Sequence, residues 1–503
     1  MADIRIPDYY KGKTILVTGV TGFIGKILVE KLLRSCPEVE KIYVLIRKKK
    51  SIPIEKRWNE ITDLPLFNRL KIIDSSLLKK VEPIEGTIDV KDLALSETVK
   101  NEVINTVDII FHSAAAVQFS EDLIFSLRNN TLGTYNVAEF ARSLMKLKCF
   151  VYVSTAYSNC DKQNVAEEKI YKSAYDWKTL IEILNVDPYP LSILRDKIKG
   201  SHPSTYTFTK ALAEDVMDHF SQYYPVMLTR PSVVLSTVDD PIPGWVDSLN
   251  GVSAMFLSVA LGVVRVINGV PTSCLDYISA DHAVKALIIA GWKLGKQEKR
   301  NGIEVMSVNY GKDIKMPTSW FFEQQKQLTE NFPSVKSAWY PFVIMVSNPL
   351  LFWILFLLLQ VIPAYMVDFC LMLLGRPPIL VNLTIRYVQA ARGPLKSFFH
   401  KQYAFPNNNF NILNDLLYEP DKKEFLINSN KYSIKDYVYI NGNGIFKYYL
   451  KEPEMSVRKA HFERLRKIHY TTITIFSLIG LLVLYRTINY LIQNCTIPLS
   501  DLF

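Results

Sequence analysis

Two side chains capable of acid–base chemistry stand four residues apart in the segment Tyr206-Thr-Phe-Thr-Lys210. The stretch from Ser204 to Tyr223 has the spacing of an amphipathic helix, on which a separation of four places both side chains on one face. A phenol with an ordinary pKa of about 10 is a poor acid or base at neutral pH unless a cation stabilises its phenolate. The pair therefore predicts a tyrosine that exchanges a proton with a substrate oxygen while Lys210 lowers its pKa. Alone, this pattern is common on protein surfaces, so the prediction depends on its surroundings.

Hydroxyl groups also follow a short apolar run, in the segment Val153-Ser154-Thr155. If that run is a strand of a parallel sheet, Ser154 and Thr155 lie at its carboxyl end, where ligands bind in such folds. One of the two hydroxyls can then donate a hydrogen bond to a substrate carbonyl. His112 ends another such run and is expected to be structural, and Cys160 has no adjacent base that would make it a nucleophile.

Glycines recur at a spacing that suits a bound pyrophosphate in the segment Thr18-Gly19-Val20-Thr21-Gly22-Phe23-Ile24-Gly25. The segment follows a β-branched run and opens an amphipathic stretch that reaches about Ser35. Glycines there allow a sharp turn, a close approach of phosphate to backbone amides, and tight packing of a helix on a strand. The context predicts a dinucleotide site, with Ala114 and Asn130 on neighbouring segments as further candidate contacts.

The residue expected to contact the adenosine ribose of the dinucleotide is basic. An NAD-binding protein commonly has a carboxylate about 20 residues beyond the last glycine, whereas this chain has Leu45-Ile46-Arg47-Lys48. A guanidinium at that position attracts a 2′-phosphate, which a carboxylate would repel. Arg47 therefore predicts NADPH, and the alternative is that Arg47 to Lys50 form a solvated basic loop.

Short β-branched runs alternate with longer amphipathic stretches between Lys13 and about Val234. Their continuous apolar character predicts parallel strands that are buried on both faces by helices. This is an α/β, doubly wound parallel-sheet Rossmann fold. The predicted strands are Thr14 to Thr18, Lys41 to Ile46, Asp108 to His112, Phe150 to Ser154 and Val226 to Thr229.

The second half of the chain contains two long apolar runs. No charge occurs between Lys336 and Asp368; this run could span a bilayer, form a buried helical subdomain or enter the membrane as a re-entrant hairpin, and Pro349 and Pro363 weigh against a clean span. The run from Ile468 to Tyr485 favours a membrane helix over an amphipathic helix that closes the C-terminal domain, because little chain remains to pack on it. Three basic residues, Arg464, Arg466 and Lys467, precede it and favour a cytosolic catalytic part.

Composition narrows the classes of partner. The 503 residues are 49% hydrophobic and 21% charged, which excludes wholesale disorder. Fifty-nine basic and 49 acidic residues give a net charge of +10, which favours anionic ligands. The basic residues are dispersed and form no recognised nucleic-acid module, so nucleic acid is not an expected partner. The six cysteines are scattered without a C-x-x-C pair, so we expect no metal site and a reducing compartment.

Together the motifs resemble the extended short-chain dehydrogenase/reductase superfamily and, within it, the alcohol-forming fatty acyl-CoA reductases. The glycine turn, Ser154-Thr155 and the Tyr206–Lys210 pair carry the wider resemblance. The narrower resemblance covers essentially the whole chain. Its segments are VTGVTGFIGK, YVSTAY, PSTYTFTKALAE, TRPSVV, DDPIPGWVDSLNG, VIPAYMVDFCLMLLGRPP and FPNNNFNILNDLL.

This resemblance implies that two NADPH reduce a long-chain fatty acyl-CoA to a primary alcohol and free CoA through an aldehyde. Tyr206 and Lys210 match the catalytic pair, and Thr155 matches the catalytic hydroxyl, with Ser154 as its neighbouring candidate. The phosphate-binding glycines match Gly19, Gly22 and Gly25, and the 2′-phosphate reader matches Arg47. The chain departs from the family pattern in three places, which are Gly86-Thr87 after the third strand, Pro203-Ser204-Thr205-Tyr206, and Ile278-Ser279-Ala280-Asp281.

The resemblance also suggests how the chain is divided. We expect a mainly helical C-terminal domain with a C-terminal membrane segment after the Rossmann fold. Trp245, Phe256 and the segment 339–367 are expected either to wall an acyl groove or to belong to the core. The expected units are a cofactor domain (1–275), a substrate-side extension (276–335), a C-terminal reductase domain (336–467), a membrane helix (468–488) and a short tail (489–503).

Two rival functions remain at this stage. A membrane-bound hydroxysteroid dehydrogenase or nucleotide-sugar epimerase would share the glycine turn and the tyrosine–lysine pair, and a non-catalytic NADPH-binding scaffold would need neither Tyr206 nor Lys210. The expected partners of the reductase are long-chain fatty acyl-CoA and a lipid membrane, of either the endoplasmic reticulum or the peroxisome. A homo-oligomer is left open.

Overall fold

A seven-stranded parallel sheet forms the centre of the N-terminal part of the chain. The structure is a computed structural model that describes residues 4–49, 52–117, 122–162, 165–249, 251–297, 302–311, 316–392 and 394–495. The strands of the sheet are β1 (Thr14–Thr18), β2 (Lys41–Ile46), β3 (Val81–Glu85), β4 (Ile109–His112), β5 (Cys149–Val153), β6 (Val226–Pro231) and β7 (Ile303–Val308).

The strand order is β7-β6-β5-β4-β1-β2-β3, and every neighbouring pair is parallel. The chain leaves β1 toward β2 and β3 on one side and returns on the other side at β4. Ligands bind in such sheets at the carboxyl ends of the two strands where the order reverses. The fold therefore places the site beyond β1 and β4, next to the glycine turn.

All five predicted strands are present, with ends that differ from the prediction by at most two residues. The doubly wound Rossmann architecture is confirmed. The strands that the prediction omitted, β3 and β7, are the two edges of the sheet. Both have short runs that are interrupted, by Glu82 and Pro83 in β3 and by Glu304 in β7. Strand β7 also comes from the stretch 276–335 that the sequence assigned to a substrate-side extension.

Helices cover both faces of the sheet. Ile15 and Val17 of β1 belong to one apolar core and Leu16 to the other, as the period of two in a strand requires. The first core is completed by the helices Phe23–Ser35 and Ala280–Gly295, and the second by Gly133–Ala141 and Thr205–Phe220. The remaining helices of this part are Ile6–Tyr10, Ile54–Thr62, Asn68–Asp74, Glu97–Thr106, Leu123–Ser126, Trp177–Val186, Tyr189–Ile193, Arg195–Lys199, Val252–Ala260 and Thr318–Asn331.

The C-terminal part is mainly helical, as predicted. Three short two-stranded ladders lie outside the main sheet. One of them joins the C-terminal part to the preceding chain by pairing Ile344–Val346 with Val266–Asn268. The other two pair Val233–Leu235 with Tyr277–Ser279 and Cys274–Leu275 with Met316–Pro317. Its helices are Pro349–Phe356, Ile362–Leu373, Leu380–Arg392, Pro394–His400, Asn408–Asn411, Glu419–Phe425, Ile434–Gly444 and Met455–Cys495.

Within the part of the chain that the structure describes, two helices are long and apolar enough to cross a membrane. We name Pro349–Leu373 the apolar helix and Met455–Cys495 the C-terminal helix. In the most apolar window of the C-terminal helix none of the residues is buried, and in that of the apolar helix 22% are buried. An exposed apolar helix of this length indicates membrane association. Residues 489–495, which were predicted to belong to a short tail, are part of the C-terminal helix, and the rest of that predicted tail lies outside the described residues.

Pro363 does not end the apolar helix, contrary to the weight that the sequence analysis gave it. A π-helical turn, Leu357–Val361, precedes the proline and joins Pro349–Phe356 to Ile362–Leu373. The low buried fraction also excludes a buried helical subdomain in this stretch.

Candidate active site

The glycine turn has the geometry that a dinucleotide phosphate requires. Gly19 has a φ of +85°, and a Cβ there would lie 2.6 Å from the backbone nitrogen of Ala114 on the neighbouring loop. A Cβ at Gly25 would collide with the carbonyl of Gly19, so Gly25 allows the helix to pack tightly on the turn. Gly22 is exposed and caps the helix Phe23–Ser35, whose N-terminus therefore faces the crevice. Bare amides and the positive end of the helix favour an anion at this point.

One end of the crevice is basic. A cavity of about 180 Å³ is bounded by the glycine turn, Thr21, Ala114 and the pair Gly86-Thr87, and Arg47 lines it together with Arg57. The Arg57 guanidinium donates a hydrogen bond to the backbone carbonyl of Arg47. Arg57 lies in the next helix, Ile54–Thr62, and was not among the residues predicted from the sequence. Two guanidinium groups at the adenosine end fit an additional phosphate.

The other end of the crevice is a cleft of about 370 Å³, and the two cavities share Gly19, Gly22, Ser113 and Ala115. Phe23 and Ile24 also line this cleft. A dinucleotide fits this arrangement, because the phosphate turn lies between a basic cavity and a larger cleft that contains the reactive side chains. Those side chains are Ser154, Thr155, Tyr206 and Lys210.

Tyr206 and Thr155 meet in the cleft. The Tyr206 side chain shares a hydrogen bond with Thr155, and burial raises the pKa of Tyr206 to about 12 although that bond lowers it. The direction is opposite to the one expected from the sequence. At neutral pH the phenol is therefore protonated, which suits a group that donates a proton.

Lys210 is fully buried, and its Nζ donates hydrogen bonds of 2.7 Å to Tyr152 Oη and to the carbonyl of Val153. Burial lowers the pKa of Lys210 to about 7, and the nearby carboxylate of Glu214 opposes this shift. The lysine is thus fixed beneath the cleft with a charge that is lost near neutral pH. The lowering of the Tyr206 pKa that was expected from Lys210 is not seen, because desolvation dominates at both groups.

Glu214 organises the loop that carries the candidate hydroxyls Ser154 and Thr155. It lies one helical turn beyond Lys210, is completely buried, and pairs with Arg230 of β6 at 2.7 Å. Its carboxylate also accepts hydrogen bonds from Ser154 Oγ (2.6 Å), Ser158 Oγ (2.7 Å) and Asn159 Nδ2 (3.0 Å). Burial alone would raise the pKa of Glu214, but Arg230 and these donors together lower it.

This network separates the two candidate hydroxyls. The Ser154 hydroxyl is directed to Glu214, whereas Thr155 is hydrogen-bonded to Tyr206. The sequence analysis missed Glu214 and Arg230, although a signal exists. Tyr206, Lys210 and Glu214 follow each other at intervals of four, so all three lie on one helical face.

Two residues assigned to the cofactor have other partners. The Thr18 hydroxyl bonds to His112 Nδ1 at 2.6 Å, and His112 Nε2 bonds to Thr134 at 3.1 Å. Burial lowers the pKa of His112 to about 3, so this histidine is a neutral structural group, as expected.

Asn130 is buried, accepts a hydrogen bond from the Ala116 amide (2.8 Å) and donates one to Thr209 (3.0 Å). Asn130 therefore ties the loop after β4 to the Tyr206 helix and does not line the described crevice.

Cys160 is buried, and burial raises the pKa of its thiol to about 12. A thiol in this state is a poor nucleophile at neutral pH. This agrees with the decision to give it no covalent role.

The apolar wall of the cleft differs from the predicted one. It is formed by the strand Val233–Leu235, Val246 and Phe398, with Tyr157 beside them. Trp245 is buried and stacks on Phe23 at 5.4 Å, and Phe256 stacks on Phe321, so both are core residues. No described residue of 339–367 lines this cleft. The core alternative therefore holds for Trp245 and Phe256, since an aromatic-rich sequence does not distinguish core from wall.

Comparison with known proteins agrees with this geometry. An NAD-binding family model described as male sterility protein matches residues 17–287, and a second model with that description matches residues 359–452. Fatty acyl-CoA reductase 1 of Mus musculus is 33% identical over 483 residues, which cover 95% of this chain and 92% of the relative. Fatty acyl-CoA reductase wat of Drosophila melanogaster is 29% identical with the same coverage.

Among solved structures, the terminal R domain from the myxalamid PKS-NRPS biosynthetic pathway superposes with a TM-score of 0.58. It is 17% identical, and the match covers 88% of this chain and 93% of that domain. This likeness concerns the fold alone. With a relative that is 33% identical across almost its whole length and a family model over residues 17–287, the chain belongs to the fatty acyl-CoA reductase family.

Proposed function

We propose that this protein uses NADPH to reduce long-chain fatty acyl-CoA to the primary alcohol, with release of CoA. The observation that carries the proposal is the hydrogen-bonded pair of Tyr206 and Thr155 in a cleft with an apolar wall. The cleft begins at the glycine turn and is walled further on by Val233–Leu235 and Phe398. An apolar wall suits an acyl chain.

The dinucleotide supplies hydride, and the side chains of the chain manage the charge on the substrate. As negative charge develops on the thioester oxygen, the Thr155 hydroxyl stabilises it and the Tyr206 phenol donates its proton. Breaking the C–S bond of the resulting hemithioacetal gives the aldehyde and CoA thiol. A second hydride and a second proton give the alcohol, so that one acyl-CoA consumes two NADPH and two protons. Lys210, fixed to Tyr152 and Val153, holds the floor of the site and binds the cofactor ribose in its charged form.

Tyr206→Phe tests this assignment. We expect thiol release from palmitoyl-CoA with NADPH to fall by roughly 10² to 10⁴, while NADPH binding, measured by its fluorescence, is retained. The matched control is Tyr189→Phe, which removes the hydroxyl of a 67% exposed tyrosine outside the cleft. Near-full alcohol formation by Tyr206→Phe with bound NADPH would show that another group donates the proton. Gas chromatography of the products distinguishes aldehyde from alcohol.

The preference for NADPH over NADH is assigned to Arg47 and Arg57. Loss of one charge-assisted contact to a phosphate costs about 1.5–3 kcal/mol, so Arg57→Ala should raise the KM for NADPH by roughly tenfold or more. The KM for NADH, which lacks the 2′-phosphate, should change little. Equal effects on the two cofactors would indicate that Arg57 acts on a part that they share.

We assign the catalytic part to the cytosolic side of the endoplasmic reticulum or the peroxisome. Arg464, Arg466 and Lys467 directly precede the apolar window of the C-terminal helix, and basic residues favour the cytosolic side. Protease added to sealed organelles should therefore digest the Rossmann fold. Complete protection that disappears only with detergent would place it in the lumen.

A further inference from the structure

The apolar helix exposes large hydrophobic side chains along its whole length. Leu350 and Leu373, near its two ends, are each 71% exposed, and Leu358 and Phe369 between them are 54% and 58% exposed. Soluble surfaces rarely carry a continuous apolar patch of this extent. The surface continues to Ile379, which directly precedes the next helix and is 53% exposed.

The buried side of the same helix is a single stripe. Its residues recur at every fourth position, and they are Phe352, Phe356, Gln360, Ala364 and Asp368. At 1.5 Å per residue, this stripe holds about 24 Å of helix against the protein. The helix therefore lies lengthwise on the body and does not project from it.

Polar contacts fix the middle of the stripe. Pro363 cannot donate to the carbonyl of Leu359 four residues earlier, and the Arg265 guanidinium donates to that carbonyl at 3.0 Å. Gln360 accepts a hydrogen bond from the Arg265 amide at 2.9 Å and donates one to the carbonyl of Val263. If the apolar helix crossed a bilayer, Arg265 would lie near the centre of the hydrocarbon. A charged side chain there is strongly unfavourable.

The end of the stripe is tied to the following helix. Asp368 accepts hydrogen bonds of 2.8–3.0 Å from the amides of Ile379, Leu380 and Val381. This contact folds Leu380–Arg392 back along the apolar helix, and the exposed cations Arg376 and Arg386 lie on this hairpin. Long cationic side chains at the edge of an apolar surface suit phosphate headgroups.

The C-terminal helix meets the body beside this surface. Trp339 Nε1 donates to His469 Nδ1 at 2.9 Å, and Tyr340 stacks on His469 at 5.0 Å. His469 is the second residue of the apolar window that begins at Ile468. Arg265 also lies over the Trp339 ring at 5.2 Å, so one residue connects the base of the C-terminal helix to the apolar helix.

We propose that the apolar helix is a second membrane contact, which lies in the plane of a phospholipid bilayer with its exposed face among the acyl chains. The C-terminal helix crosses the bilayer, and the apolar helix rests in the leaflet from which it enters. This arrangement goes beyond the proposed reaction and does not depend on it. It removes the exposed apolar face from water while Arg265 and Gln360 remain in the protein.

Depth-dependent quenching in liposomes tests the proposal. The full-length protein carries one NBD fluorophore at Leu350→Cys, at Leu358→Cys or at the native, exposed Cys370. Cys274, which is partly exposed, and Cys495 are replaced by serine, as is Cys370 in the first two variants. The liposomes contain phosphatidylcholine with a nitroxide at acyl position 5 or 12. Reduction of palmitoyl-CoA, or NADPH binding where activity is absent, verifies that each labelled protein is folded.

The in-plane arrangement predicts stronger quenching by the shallow nitroxide at all three positions, although about 30 Å of helix separates the first from the last. Two controls calibrate the signal. Ile479→Cys in the middle of the C-terminal apolar window should be quenched more by the deep nitroxide, and Ile193→Cys, a 65% exposed apolar position of the catalytic body, should give background only.

Two results would overturn the proposal. If the deep nitroxide quenches position 358 more strongly than the shallow one while positions 350 and 370 remain shallow, the apolar helix spans the bilayer. If none of the three positions is quenched above the Ile193→Cys background, the face does not touch lipid. Neither result would alter the assignment of Tyr206, which is measured by thiol release.

Discussion

The helix Thr205–Phe220 buries Lys210 and Glu214 almost completely, whereas the apolar helix leaves Leu350 and Leu373 largely exposed. In the first helix the buried charges have partners, namely Arg230, Tyr152 and the hydroxyls of the β5 loop. In the second, the buried residues include Gln360 and Asp368, while Leu350, Leu358 and Leu373 face outward. The first helix therefore lies in a buried polar network, whereas the exposed face of the second is suited to the acyl chains of a bilayer.

The degree of burial of a residue alone therefore does not identify its function. A buried charge is informative when its partners belong to a cleft, and an exposed leucine is informative when its neighbours on the same face are exposed as well. The difference can be tested by removing groups from each helix in turn.

Glu214→Ala is expected to have the largest effect. It leaves Arg230 buried without its carboxylate, and breaking a buried pair in this way costs about 3–5 kcal/mol of the free energy of unfolding. The loop that carries Thr155 loses three hydrogen bonds as well. The midpoint of thermal unfolding in detergent and thiol release should both fall.

The control for Glu214 is Glu139→Ala. Glu139 pairs with Arg142 at 2.9 Å, but both side chains are more than 40% exposed. An exposed pair contributes about 0–1 kcal/mol, so little change is expected. If both variants lowered the unfolding midpoint equally, the buried network would not be the element that holds the site.

Gln360→Ala should have an intermediate effect, on the second helix. The substitution leaves the buried Arg265 amide and the Val263 carbonyl without the Gln360 side chain, and an unsatisfied buried group costs about 1–3 kcal/mol. The unfolding midpoint in detergent should fall measurably. Leu358→Ala removes more apolar surface from the exposed face, yet it should shift the free energy of unfolding by no more than about 0.5 kcal/mol. The reverse order would mean that the outward face is packed against protein.

The same contrast explains how far the sequence could be read. The central strands β1, β2, β4, β5 and β6 are buried on both faces, so their apolar runs predicted them within two residues. The edge strands β3 and β7 contain Glu82 and Glu304, which interrupt that signal. A central strand is buried on both faces and therefore consists of apolar residues, which identify it in the sequence. An edge strand is partly exposed and can contain polar residues, so its sequence is less distinctive.

The candidate site shows a similar limit. The glycine turn and the Tyr206–Lys210 pair are local patterns, and each lies in the crevice as expected. The roles of Thr18 and Asn130 depend on partners 94 and 79 residues away, so no local pattern could assign them. The direction of the Tyr206 pKa shift depends on burial, which only the folded chain provides.

The smallest expected effect is a pH dependence that belongs to Lys210. With a pKa of about 7, this side chain is about nine-tenths charged at pH 6 and about one-tenth charged at pH 8. The charged form favours an anionic dinucleotide, so the Kd for NADPH should rise with pH. Between pH 6 and pH 8, the Kd of the wild type for NADPH should therefore rise several-fold more than the Kd of Lys210→Met. The difference should stay below roughly tenfold, which corresponds to about 1.4 kcal/mol. Fluorescence titrations at both pH values measure the change, and titration of the 2′-phosphate cancels because both proteins bind the same ligand. Parallel pH profiles for the two proteins would mean that the buried lysine keeps one charge state between pH 6 and pH 8. The charges of Glu214, Arg230 and Lys210 would then all be independent of pH in this range.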